Sequence, residues 1–99
     1  MPYFGRLTTR SAGPGENPEE GAVVGPVVAV GADGLVVLRG REVPEGTLVE
    51  GGRGRFVGRV VKVFGPVQRP YLSVRPRRGL PPEEMLVLLG TPLTVRRRG

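Results

Sequence analysis

Glycine and proline divide this chain into short pieces. The 99 residues include 17 Gly and 11 Pro. Frequent turns formed by these two residue types are typical of all-β sandwiches and barrels. The apolar residues between these breaks are mainly Val and Leu, and Val favours strands because its β-branched side chain packs well on a pleated surface. A chain of this length has room for one domain with one core. The sequence therefore predicts one small all-β domain.

Six apolar runs predict strands, and the residues between them predict tight connections. The runs are 23–30, 35–38, 47–49, 55–64, 71–75 and 91–95. The pair Asp33-Gly34 predicts a hairpin loop. Residues 81–84, Pro-Pro-Glu-Glu, predict the start of a helix that continues to Leu89 and stops at Gly90. Because closure removes aggregation-prone sheet edges, we expect a small closed six-stranded β-barrel with one short helix before the last strand.

Two of these runs carry irregularities. Gly25 and Pro26 interrupt the first run, which indicates either an edge strand or a bulge. In the run 55–64 both alternating faces carry large apolar side chains, although clean alternation would leave one face polar. Either a bulge switches the register within that strand, or part of its outer face is covered by local chain or by a partner protein.

The charge of the chain favours polyanionic partners. The net charge is +6 and the isoelectric point is about 11.3, and chains this basic are attracted to RNA or DNA, with an anionic membrane surface as the rival. No apolar run approaches the roughly 20 residues that span a bilayer, and the first residues lack the apolar stretch of a signal peptide. We therefore expect a soluble intracellular protein, cytoplasmic in an archaeal cell or nucleolar in a eukaryotic one.

The residue types that the sequence lacks exclude several kinds of site and reaction mechanism. The chain has no Cys and no His, which excludes disulfides, a structural zinc site and any His-based acid–base mechanism. Glu83 and Glu84 are adjacent, and neighbours in sequence point in different directions on a helix, so they make a poor catalytic pair. We predict no catalytic residues, no metal site and no cofactor, and we expect that the chain is not an enzyme.

Composition also divides the chain into three parts. Residues 1–21 are predicted to be a flexible N-terminal extension, because their second half is small, polar and rich in Gly and Pro. Residues 22–96 are the predicted barrel domain, and 97–99 are a basic tail. The chain has one Asn, one Gln and two Met, a depletion that hyperthermophile proteins share. A GC-rich genome explains its preference for Arg over Lys equally well.

The segment 56–76 contains a recognisable series of motifs. It reads FVGRVVKVFGPVQRPYLSVRP, in which a Val-Gly-x-Val strand runs into Phe-Gly-Pro-Val, then Pro-Tyr and Ser-Val-Arg-Pro. This series resembles the signature of the Gar-type subunits of H/ACA pseudouridylation ribonucleoproteins, and the similarity extends over residues 22–96. The long Gly/Arg-rich tails of eukaryotic members are missing, as in the compact archaeal type. An assembly-factor relative of this subunit shares the same barrel.

The resemblance carries expectations about fold, activity and partners. It implies a small barrel similar to those of reductases and translation elongation factors. It implies a non-catalytic subunit that binds the pseudouridine synthase subunit, contacts guide and substrate RNA mostly indirectly, and aids substrate loading and product release in rRNA modification and ribosome biogenesis. It further implies a monomer when free, present as one copy in each half of the complex and without a membrane partner.

The connection between the fourth and fifth predicted strands is the predicted protein-docking surface. Two prolines fix its backbone, so it has little entropy to lose on binding. Tyr71 has the ring and hydroxyl typical of an interface anchor. The alternative is a plain strand connection with Tyr71 filling the barrel. The predicted partner-binding residues are Val63, Phe64, Gly65, Pro66, Val67, Pro70 and Tyr71.

Two groups of arginines are candidates for RNA-phosphate contacts, provided that they lie close together. The alternative is a solubilising surface with a frayed tail. The candidates are Arg75, Arg77, Arg78, Arg96, Arg97 and Arg98. The net charge and the fold class support a second hypothesis for the whole chain, a directly RNA-binding barrel of ribosome-associated or translation-factor type. The few aromatic residues argue against recognition by base stacking. Residues 52–55, Gly-Arg-Gly-Arg, are better explained as a hairpin turn than as an RNA-binding box.

Overall fold

The computed structural model describes residues 19–97. Most of the predicted flexible extension, residues 1–18, lies outside the described residues, and so do Arg98 and Gly99 of the predicted basic tail. A single 3-10 turn, Gly52–Gly54, joins the third and fourth strands. The regular elements are β1 (Val23–Val30), β2 (Val36–Arg39), β3 (Leu48–Glu50), β4 (Phe56–Phe64), β5 (Tyr71–Pro76), α1 (Pro82–Val87) and β6 (Pro92–Val95).

The six strands close into a barrel in the order β1-β2-β5-β4-β3-β6. Every neighbouring pair is antiparallel. The predicted closed six-stranded barrel, with one short helix before the last strand, is therefore confirmed. β4 and β5 form a hairpin. Residues 65–70 connect the two strands at one end of this hairpin, and Phe56 and Pro76 lie at its other end.

Val and Leu side chains fill the interior. Burying one such side chain completely contributes about 1.5–3 kcal/mol relative to leaving it exposed. Successive side chains of a strand point to opposite faces of the sheet, so these residues face inward while their neighbours face outward. Short Val-rich strands separated by Gly and Pro can therefore enclose one core. The buried apolar residues are Val24, Val27, Val36, Leu38, Val43, Val49, Val57, Val60, Leu72, Val74, Leu93 and Val95.

Bulges explain the two-sided apolar pattern of β4. Its pairing with β5 shifts between Val60 and Lys62, so that Val61 is an extra residue in the ladder. Its pairing with β3 shifts between Phe56 and Gly58. Val57 and Val60 are therefore both buried although they are three residues apart. Of the two explanations that the sequence left open, the register switch within the strand is confirmed.

The interruption in β1 is also a bulge. Its pairing with β6 shifts between Val23 and Gly25, and β1 lies between β6 and β2 in the closed barrel, so it is not an edge strand. Gly25 approaches β2 so closely that a Cβ atom there would overlap the carbonyl oxygen of Arg39. Glycine is therefore required by the close contact of the two backbones.

The helix α1 is shorter than the sequence predicts. It begins with Pro82 in its first turn, followed by Glu83 and Glu84, as expected. The predicted continuation to Leu89 is wrong, because Leu89 forms a parallel bridge with Val27 and the amide of Gly90 donates to the Val27 carbonyl at 2.8 Å. Pairing with β1 thus replaces the last helical turn. Within residues 19–97, no helix is long and apolar enough to cross a membrane.

Candidate protein-docking surface

Four side chains from three neighbouring strands form a row on the outside of the barrel, which we call the aromatic ladder. It consists of Arg39 of β2, Tyr71 of β5, and Phe64 and Lys62 of β4. The strand register places Tyr71 opposite Arg39 on one side and Phe64 on the other. The two aromatic rings stack with their centroids 5.5 Å apart and their planes 20° apart. The sheet geometry therefore creates the row.

Cations lie at both ends of the aromatic ladder. The guanidinium carbon of Arg39 is 4.9 Å from the centroid of the Tyr71 ring, and Nζ of Lys62 is 5.7 Å from that of Phe64. A stacked pair contributes about 0.5–1.5 kcal/mol beyond the area it buries, and an exposed cation–π contact about 0.5–1 kcal/mol. These contacts hold both rings in place before any partner binds.

The connection 65–70, which we call the proline-bracketed loop, lies beside the aromatic ladder. Gly65 has φ of +91°, a conformation that favours glycine, and a Cβ atom there would lie 3.0 Å from Cδ2 of Tyr71. At the other end of the loop, the Pro70 carbonyl accepts a hydrogen bond from the amide of Gly40 at 3.1 Å. Between these two fixed ends, residues 66–69 are exposed, and Val67 is 76% exposed.

The structure brings five of the seven predicted docking residues together at the surface: Phe64, Gly65, Pro66, Val67 and Tyr71. The other two face inward, since Pro70 is buried and Val63 packs against the core. They position the loop and the strand but offer little contact area. Tyr71 does not fill the barrel, because its ring stacks outside on Phe64 while the next residue, Leu72, is fully buried.

The candidate RNA-contacting arginines are exposed and belong to two strands that are not neighbours, β5 and β6. Arg75 lies near the end of β5, and Arg77 and Arg78 follow that strand. Arg96 and Arg97 follow β6, and Arg98 lies outside the described residues. β4 and β3 lie between β5 and β6, which run antiparallel, so the main chain leaves these two strands in opposite directions. The guanidinium of Arg96 lies 4.5 Å from the centroid of the Phe56 ring.

Sequence reasoning missed the two cations of the aromatic ladder. A signal for Lys62 was present, because residues two apart on a strand share a face and Phe64 was already a candidate. Arg39 gave no comparable signal. Its place beside Tyr71 depends on β2 pairing with β5, two strands that are far apart in the sequence.

Comparison with known proteins adds a distant archaeal similarity. No family model matches the chain. A stretch of 42 residues is 38% identical to an uncharacterized protein of the archaeon Methanothermobacter thermautotrophicus. The match covers 42% of this chain and 46% of that relative, a thermophile protein. The chain thus spans less than half of the relative's length, and the relative carries no functional description.

Proposed function

We propose that this chain is a non-catalytic subunit of an H/ACA pseudouridylation complex. In this proposal the proline-bracketed loop and the aromatic ladder bind the pseudouridine synthase subunit, and the barrel aids substrate loading and product release in rRNA modification. The proposal rests on the motif series of residues 56–76 and on the surface that those residues form.

The observation that carries the proposal is the exposure of apolar side chains on and beside a loop that is fixed at both ends. Val67 is 76% exposed and Phe64 is 40% exposed, although burying such side chains stabilises a protein. The fixed ends of the loop limit the entropy that it loses on binding. Tyrosine is enriched at interface hot spots, and Tyr71 lies half-buried beside these exposed side chains.

The geometry of the aromatic ladder favours a protein partner over a nucleobase. Arg39 and Phe64 flank Tyr71 on opposite sides, so the Tyr71 ring has no free face for a base. A base that stacked on Phe64 would compete with Lys62. Recognition by stacking requires open ring faces, whereas a protein surface can pack against ring edges and against Val67.

Binding to a purified archaeal pseudouridine synthase subunit tests the docking surface. We expect isothermal titration calorimetry to detect a one-to-one complex with the wild-type chain. Tyr71→Ala and Val67→Asp should each weaken binding by roughly 30-fold or more, the effect of losing a hot spot of about 2 kcal/mol.

Val23→Asp is the matched control for Val67→Asp. It introduces the same charge at an exposed valine, 55% exposed, on β1 rather than on the proline-bracketed loop. We expect this variant to bind as the wild type does. Absence of a wild-type complex, or equal affinity of the Val67→Asp and Val23→Asp variants, would contradict the proposal.

The proposed role in the reaction cycle is tested separately. Adding the chain to a synthase and guide RNA should raise the multiple-turnover rate and leave the single-turnover rate of pseudouridine formation unchanged. The single-turnover rate is measured after the substrate RNA has been bound by a saturating excess of the complex. Under that condition chemistry alone sets the single turnover, whereas loading and release limit multiple turnover. A change in the single-turnover rate would instead indicate a contribution to catalysis.

Direct RNA binding is the second candidate function. It is supported by the net charge of +6 and by the exposed arginines that follow β5 and β6. If this function holds, the isolated chain should bind single-stranded RNA tightly, with an affinity that falls steeply and linearly with the logarithm of salt concentration. Titrations with an unstructured RNA at several salt concentrations therefore distinguish the two candidates.

A further inference from the structure

A pocket of about 270 Å³ lies at the other end of the β4–β5 hairpin from the proline-bracketed loop. Its apolar wall includes Val57 of β4, Leu80 before α1, and Leu88 after α1. Val57 is buried, and Leu80 and Leu88 pack against the core. The pocket therefore reaches down to the hydrophobic core. We call it the helix pocket.

A glycine forms part of the floor. A Cβ atom at Gly51 would lie 3.8 Å from Val57 and 3.9 Å from Leu88, in ordinary van der Waals contact. The backbone of Gly51, with φ of −93° and ψ of −162°, accepts any side chain. Neither strain nor close backbone contact requires glycine here, in contrast to Gly25. The missing side chain leaves space where the core is accessible.

The helix beside the pocket leaves apolar side chains uncovered. None of the residues of α1 is buried. Val87, which lines the pocket, is 77% exposed, and its neighbour Leu86 is 58% exposed. The six residues of α1, which begin with Pro82, are too few for an amphipathic helix that buries one full face. The apolar area of the helix pocket therefore continues onto the surface.

Most of the charged residues at the rim of the helix pocket are arginines. Arg55 and Arg77 line the pocket together with Glu84. The connection from β3 to β4 also carries Arg53, and the connection from β5 to α1 also carries Arg78; both arginines are exposed. Four arginines against Glu83 and Glu84 give a formal local charge of +2. Arg55 and Glu84 approach to 3.8 Å, and their side chains are 78% and 44% exposed. Solvent therefore weakens the pair and leaves Arg55 able to contact a second carboxylate.

The combination of an apolar pocket with a cationic rim selects one class of occupant. We propose that the helix pocket is a docking site for an acidic peptide segment of a partner protein. One large apolar side chain of that segment packs against Val57 and Leu88, and flanking carboxylates pair with Arg55 and Arg77. The proposal goes beyond the H/ACA function and does not depend on it.

Charge and volume complementarity support a peptide over other occupants. Phosphates of a nucleic acid would satisfy the rim but leave the apolar wall exposed to water. The pocket lies just below the range of about 300–1,000 Å³ that drug-sized ligands occupy, which suits one or two side chains. An acidic segment with an apolar anchor uses both features, because opposite charges orient the segment and burial of the anchor holds it.

The test uses the full chain, labelled with ¹⁵N, and a panel of acidic decapeptides that each carry one central Leu, Ile, Met or Phe. We expect at least one of them to bind with a Kd on the order of 100 μM and to shift the amide resonances of Gly51, Val57 and Leu88. Replacing the central residue of that peptide by Ser should weaken binding roughly tenfold or more. Raising the salt concentration should weaken it further.

Two variants locate the site. Val87→Asp places a carboxylate at the pocket and should abolish peptide binding. Gly51→Val fills the floor and should also abolish it without adding charge. Val23→Asp adds the same charge on β1 and should bind the peptide as the wild type does. Val67→Asp, which tests synthase binding, should retain peptide binding, so the two proposals fail independently.

Four outcomes would overturn the proposal. They are the absence of binding by the whole panel, equal binding of the Ser peptide, tighter binding of an oligouridylate at the same amides, and peptide-independent shifts of these amides with protein concentration. The second outcome indicates rim electrostatics alone, the third an RNA surface, and the fourth an interface between two copies of this chain.

Discussion

The two ends of the β4–β5 hairpin differ in how completely their surfaces are packed. At the end with the proline-bracketed loop, the aromatic rings are stacked, cations cover them, and a Cβ atom at Gly40 would overlap the Val24 carbonyl oxygen. At the end with α1, a Cβ atom at Gly52 would meet no atom of residues 19–97 within 4 Å, and Val87 is 77% exposed beside a pocket.

The difference arises from the segment that the chain enters at the end of each strand. After β4, a glycine in a left-handed conformation returns the chain to β5 within six residues, so side chains on the two strands remain paired. After β5, the chain enters a helix too short to bury a face. One end is therefore a projecting surface of fixed shape, which suits docking against a complementary surface. The other end is concave and suits insertion of a side chain.

The largest expected effect is on stability, and it concerns two glycines. Gly40→Ala should lower the free energy of unfolding by about 2–3 kcal/mol, because its Cβ atom must push the backbones of β1 and β2 apart. Gly52→Ala should change it by no more than about 0.5 kcal/mol, because its Cβ atom would contact none of the described residues. Urea unfolding at equilibrium measures both values. Equal stability of the two variants would show that the backbone around Gly40 is no more tightly packed than the surface at Gly52.

A smaller effect is expected within the aromatic ladder. In a double-mutant cycle of Phe64→Leu and Tyr71→Leu, the coupling free energy should be about 0.5–1.5 kcal/mol, because leucine retains apolar area but not the stacked geometry. A cycle of Phe64→Leu and Leu86→Ala is the control, since Leu86 lies on α1 and the effects of the two substitutions should be additive. Additivity of Phe64 and Tyr71 would mean that the stacked rings do not stabilise this end.

Sequence patterns predicted the packed end better than the open end. The strand boundaries around residues 65–70 follow from two prolines and a glycine, which act locally. The helix was predicted too long, because its last turn yields to pairing of Leu89 with Val27, a contact between residues far apart in the chain. The helix pocket was not predicted at all. Its walls come from β4, from α1, from the connection before β4 and from the connections on either side of α1. The periodicity of a sequence does not show that such separate segments lie together.

The smallest expected effect is that of the ion pair at the helix pocket. In a double-mutant cycle of Arg55→Ala and Glu84→Ala, the coupling should be no more than about 0.5 kcal/mol, and molar salt should remove it. The reason is that the charged atoms are 3.8 Å apart on side chains that are 78% and 44% exposed. Urea unfolding at low and high salt measures this coupling. A coupling above about 1 kcal/mol that persists in high salt would mean that the pair closes the rim, and the pocket would then be less accessible to a partner than its open shape indicates.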